Sequence, residues 1–123
     1  MQHIILVATP DLVFFKIIET VACYRIPTVN FVLCETKEQL DRCLNNSSVS
    51  MLILDPSFSE LPGFQLLYYL RSEKLFKKEI WFFADIHTEE YTRQAYVLGD
   101  SKVVCRPFDP YVTVNKISRL LGL

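Results

Sequence analysis

The chain has 123 residues, enough for one hydrophobic core and too few for two domains, so residues 1–123 are expected to form a single domain. Lys+Arg number 13 against 14 Asp+Glu, and the net charge of −1 argues against a broad nucleic-acid footprint, leaving room only for a local basic patch. Half the residues are hydrophobic and 13% aromatic, which argues against disorder.

No apolar stretch is long enough to span a bilayer. The start, Met1-Gln2-His3-Ile4, has neither a basic leader region nor a small-residue cleavage site. A cytoplasmic protein without membrane contact is the expectation.

Strand-like and helix-like segments then alternate about five times. Residues 3–8 form a nearly continuous apolar run and predict a buried strand. After Pro10-Asp11, the residues Leu12, Val13, Phe14, Ile17, Ile18, Val21 and Ala22 predict a helix with these positions inward and Lys16 and Glu19 outside. Residues 28–34 are β-branched and aromatic, a second strand. Thr36-Lys37-Glu38-Gln39 fits a capping box, and Leu40, Cys43 and Leu44 face inward until Asn45-Asn46-Ser47-Ser48 stops the helix.

Residues 49–54 are the third strand. Residues 56–63, with two prolines and a glycine, are a loop. A third helix is predicted over about 64–72 and a fourth strand over 80–84. Thr88 would cap a helix running to Leu98, with Gly99 at its C-terminal turn. A fifth strand over 102–105 follows. Asp109 caps the last helix, Pro110 sits at its first position, and Val112, Ile117, Leu120 and Leu121 are its expected inward face.

Cys23, Cys34, Cys43 and Cys105 show no metal-ligand spacing and are expected to be reduced core thiols. His3 and His87 are isolated, so no metal site is expected from them. Five β-α units with apolar strands imply a parallel sheet covered on both faces. Ligands in such sheets sit beyond the carboxyl ends of the strands, where the strand order reverses. The residues falling there are Ala8, Thr9, Asp55, Ala84, Asp85 and Arg106.

Three stretches stand in a particular relation. Met51-Leu52-Ile53-Leu54 ends on Asp55; Gly63 comes eight residues later, followed by Phe64-Gln65-Leu66-Leu67-Tyr68-Tyr69-Leu70-Arg71; and Arg106-Pro107-Phe108-Asp109-Pro110 lies seven residues past Gly99. Over essentially the whole chain this layout resembles the receiver domain of bacterial two-component response regulators. The resemblance implies a flavodoxin-like α/β/α fold, a doubly wound five-stranded parallel sheet in order 2-1-3-4-5, with Asp55 at the phosphoacceptor position. It also implies a cis Arg106–Pro107 peptide.

A working receiver needs a carboxylate to attack phosphorus, further acids to hold a divalent cation, a lysine to neutralise the phosphoryl group, and a hydroxyl to bind it. The carboxylate is present as Asp55. The family's acid pair would follow the first strand, where this chain has Val7-Ala8-Thr9; Asp11 is the nearest acid and fits a helix cap. Ala84 falls at the hydroxyl position and Arg106 at the lysine, while Val103 replaces an aromatic and Pro56 follows the acceptor directly. Losing one electrostatic donor costs about 3–4 kcal/mol of transition-state stabilisation, and here several are replaced together. Arg106 is expected to pair with Asp55 in place of metal and phosphate. Asp85 is a replacement ligand, a second partner for Arg106, or a solvated loop acid, and Glu60 is an ordinary loop acid.

The leading expectation is a degenerate, non-enzymatic receiver-like module that binds a protein partner without phosphorylation and without a cofactor. The resemblance points to a histidine kinase or an output domain as partner. It also places a dimer or partner face on the helix after the fourth strand, the fifth strand and the last helix, with Tyr91, Tyr96, Lys102, Tyr111 and Lys116. Tyr96 is equally readable as core. The alternative is a phosphorylatable receiver using Asp55 and Mg²⁺ in a phosphorelay. A nucleotide-binding enzyme is disfavoured because Ala8-Thr9-Pro10-Asp11 contains no glycine.

Overall fold

A computed structural model describes residues 3–55, 57–58, 63–84, 102–105 and 108–123, with the backbone alone at 63, 64, 84 and 105. In chain order the elements are β1 (His3–Ala8), α1 (Leu12–Arg25), β2 (Val29–Cys34), α2 (Lys37–Cys43), β3 (Val49–Leu54), α3 (Gly63–Ser72), β4 (Glu79–Ala84), β5 (Lys102–Cys105) and α4 (Pro110–Leu120). The helix expected over 88–98 falls outside the described residues.

All five strands are parallel, in the order β2-β1-β3-β4-β5, as the sequence led us to expect. Side chains alternate across a strand, so each strand feeds both faces. Ile5, Val7, Met51, Ile53, Trp81 and Phe83 join Phe14, Ile18, Val114 and Ile117 beneath α1 and α4. Leu6, Ala8, Leu52, Leu54, Ile80 and Phe82 join Leu40, Leu66, Leu67 and Leu70 beneath α2 and α3. This two-sided burial explains why β1, β3 and β4 read as nearly continuous apolar runs rather than alternating ones.

The expected caps at Asp11, Thr36 and Asp109 are in place, and the one expected at Thr88 lies outside the described residues. The Asp11 carboxylate accepts from the backbone N–H groups of Val13 and Phe14, and the Asp109 carboxylate from those of Tyr111 and Val112, ahead of Pro110. The capping box also forms: Gln39 N–H donates to Thr36 Oγ1, and the Gln39 side chain accepts from Glu35 N–H, one residue before the cap.

Two helix faces differ from expectation. In α1 the buried set is Phe14, Phe15, Ile18, Val21 and Ala22, while Leu12, Val13 and Ile17 are exposed. In α4 it is Thr113, Val114 and Ile117, with Val112 and Leu120 exposed and Leu121 packed against the core. Helix α1 carries apolar residues around much of its circumference, so periodicity does not fix a single inward stripe there. Cys23 is also exposed, on the outer side of α1, whereas Cys34 is buried and Cys43 half-buried.

Candidate functional site

The sheet order reverses direction at β1, which is flanked by β2 and β3. Register carries all three of these strands to a common upper edge: Ala8 is level with both Cys34 and Leu54. Thr9 N–H donates to Cys34 O at 3.3 Å, and Asp55 N–H donates to Ala8 O at 3.0 Å. The first residue beyond β1 and the first beyond β3 are therefore held side by side.

Asp55 is only 4% exposed and Thr9 is fully buried. The Thr9 hydroxyl donates to Asp55 Oδ2 at 2.8 Å and accepts from Asp11 N–H at 3.0 Å. The direction is forced, because an amide N–H can only donate and the hydroxyl proton is left for the carboxylate. Asp55 Oδ1 accepts from both Ser57 N–H at 3.0 Å and Ser57 Oγ at 2.8 Å. Phe58 N–H closes a turn on Asp55 O at 3.0 Å, and the buried Phe58 ring packs into the core beneath α3. Both carboxylate oxygens thus receive donors, as a buried carboxylate requires.

The groups described around Asp55 are hydrogen-bond donors rather than cation ligands. Mg²⁺ wants several oxygen lone pairs from carboxylates, carbonyls or water. Thr9 and Ser57 instead point O–H and N–H groups at Asp55, and the nearby acid Asp11 is engaged in capping α1. No cluster of three or more His, Cys, Asp or Glu side chains suited to a metal occurs among the described residues.

Of the residues singled out from sequence, the structure brings Ala8, Thr9 and Asp55 together and sets Ala84 at the end of the neighbouring strand β4. Asp85, Arg106, Pro56 and Glu60 lie outside the described residues, as do the expected Arg106–Asp55 pair and the Arg106–Pro107 peptide. Ser57 was not singled out. Its signal is the Asp-x-Ser spacing, which commonly closes a local turn by side-chain bonding.

Of the expected partner face, Lys102, Tyr111 and Lys116 lie among the described residues. Lys102 sits 4.7 Å above the Trp81 ring; burial first, and then the charge of Lys116, holds its ammonium below the usual lysine range, against the opposing pull of Glu79. Tyr111 instead lines a groove against α1 with Leu12, Val13 and Ile17. Tyr91 and Tyr96 lie outside the described residues. Among the described residues, no helix is long and apolar enough to cross a membrane.

No family model matches the sequence, and no curated protein does either. Solved structures do match in fold. The signal receiver domain of a DNA-binding response regulator from Colwellia psychrerythraea 34H superposes with a TM-score of 0.86 at 14% identity, covering 99% of this chain and 100% of that one. A two-component response regulator from Clostridium difficile gives 0.82 at 16% identity, with 98% and 97% covered. The response regulator DrrB of Thermotoga maritima, an OmpR/PhoB homologue, gives 0.78 at 16% identity; 99% of this chain covers 54% of that one. The chain has the fold of response regulator receiver domains.

Proposed function

We propose that this chain is a receiver-type signal-transduction module that acts by protein–protein interaction, with Asp55 as a fixed structural carboxylate rather than a phosphoacceptor. The observation that carries this reading is the buried Thr9 hydroxyl donating to Asp55 Oδ2 at 2.8 Å. In the receiver resemblance, acids follow the first strand and gather a cation beside the acceptor. Here the first residue after β1 supplies a proton donor to the acceptor itself. A carboxylate whose lone pairs already bind Thr9 and Ser57 is a poorer nucleophile and a poorer metal ligand.

The partner class follows the fold: a histidine kinase or an output domain of a signalling pathway, contacted without direct nucleic-acid binding. The test is intact mass after incubation with a small phosphodonor and Mg²⁺. An unchanged mass supports the proposal. A gain of one phosphoryl group that disappears in Asp55→Asn sinks it and makes the chain a working phosphorelay receiver.

A further inference from the structure

Two of the cysteines meet in the fold. Cys34 ends β2 and is fully buried in the core beneath α2 and α3. Cys43 is the last residue of α2, half-buried, and packs against the same cluster. The two thiols are hydrogen-bonded to each other, although eight residues separate them in the chain. The local sequence explains the meeting. Thr36 caps α2 directly after β2, and Cys43 follows the buried Leu40 by three residues, on the same face of the helix.

We propose that Cys34 and Cys43 form a thiol pair that a small disulfide oxidant converts to an intramolecular disulfide, a redox modification site joining α2 to β2. A disulfide needs only two sulfurs in contact. Among the described residues no group of three or more metal-ligating side chains includes them, so a metal is the poorer fit. Helix ends fray, and Cys43 closes a helix of seven residues, so its side chain can make the short movement to a bond of about 2 Å.

Unequal burial sets the order of events. Cys43 is the thiol that an oxidant can reach. Its thiolate attacks one sulfur of the small disulfide, whose S–S bond breaks, and the first small thiol leaves with the proton that Cys43 gave up. Cys34 is out of the oxidant's reach, and burial, then the neighbouring Cys43, hold its thiol protonated. It reacts only with the mixed disulfide formed beside it. Its sulfur attacks that of Cys43, and the second small thiol leaves with the Cys34 proton. Two protein thiols are oxidised and one small disulfide is reduced to two thiols. The backbone carbonyl of Cys34 accepts from Thr9 N–H at 3.3 Å, so the new bond forms one residue from the strand-end site. The inference stands on the thiols and neither rests on nor tests the reading of Asp55.

The test is to incubate the full folded chain with oxidised glutathione, cap the remaining thiols with N-ethylmaleimide, and map a non-reducing tryptic digest by mass. Lys37 and Arg42 lie between the two cysteines, so trypsin places them in separate peptides that only a disulfide can join. The joined pair is expected, at the mass of both peptides less two hydrogens. Exposed Cys23 should carry only glutathione. In Cys34→Ser, Cys43 should stop at the glutathione adduct; in Cys43→Ser, Cys34 should remain a thiol, with circular dichroism confirming the fold of each variant. A wild-type chain in which Cys43 keeps the glutathione, a joined pair that appears only in urea, or oxidation of Cys34 in Cys43→Ser would overturn the proposal.

Discussion

The hydroxyl of Thr9 donates at 2.8 Å to the carboxylate of Asp55, 46 residues later in the chain, and both groups are buried. The bond ties the ends of β1 and β3 together where the sheet order reverses. The same hydroxyl accepts from Asp11 N–H, so it also fixes the turn into α1.

Thr9→Val keeps the shape and removes the donor. A hydrogen bond to a charged group contributes about 1.5–3 kcal/mol, and its loss should appear in full because water cannot reach the site easily. Urea unfolding should show a loss in that range. A change within experimental error would mean that Asp55 is held by its other partners alone.

Thr9→Asp places a second carboxylate where the hydroxyl donor stood. Two buried like charges disfavour the folded state unless a cation or a proton joins them. The variant should melt below the wild type in EDTA and recover part of the loss in Mg²⁺. A melting temperature indifferent to Mg²⁺ would show that the strand ends cannot be converted to a cation site by one residue.

Much of this geometry was legible in the sequence. Both-face burial makes β1, β3 and β4 nearly continuous apolar runs, and Asp109-Pro110 announces the start of α4 without help from tertiary contacts. Thr9 and Asp55 were placed at one edge by topology alone. Their bond was not readable, because a strand-end position does not say whether a hydroxyl donates to a carboxylate or to water. The outward stripe of α1 was missed for a different reason: Leu12, Val13 and Ile17 are as apolar as Phe14, Phe15 and Ile18, and only packing against α4 and the sheet separates the two sets.

The cysteines give a prediction with a sign. Burial, and then the neighbouring Cys43, push the Cys34 thiol up from 9.0 to about 12. The unfolded chain therefore loses this proton near its ordinary value while the folded chain keeps it. Stability contributed by this group is present below 9 and is lost as pH rises toward about 12. At mildly alkaline pH, iodoacetamide should modify exposed Cys23 and spare Cys34 until denaturant is added. Peptide mapping that found Cys34 modified as fast as Cys23 in the folded protein would contradict this.

The central claim is that hydroxyl and amide donors hold Asp55 in place of a metal ion, and calorimetric titration of the wild-type chain with MgCl₂ tests it most directly. We expect no saturable heat at millimolar Mg²⁺, in the wild type and in Asp55→Asn alike. Saturable binding in the wild type that is abolished by Asp55→Asn would contradict the account and restore Asp55 as a cation-assisted acceptor.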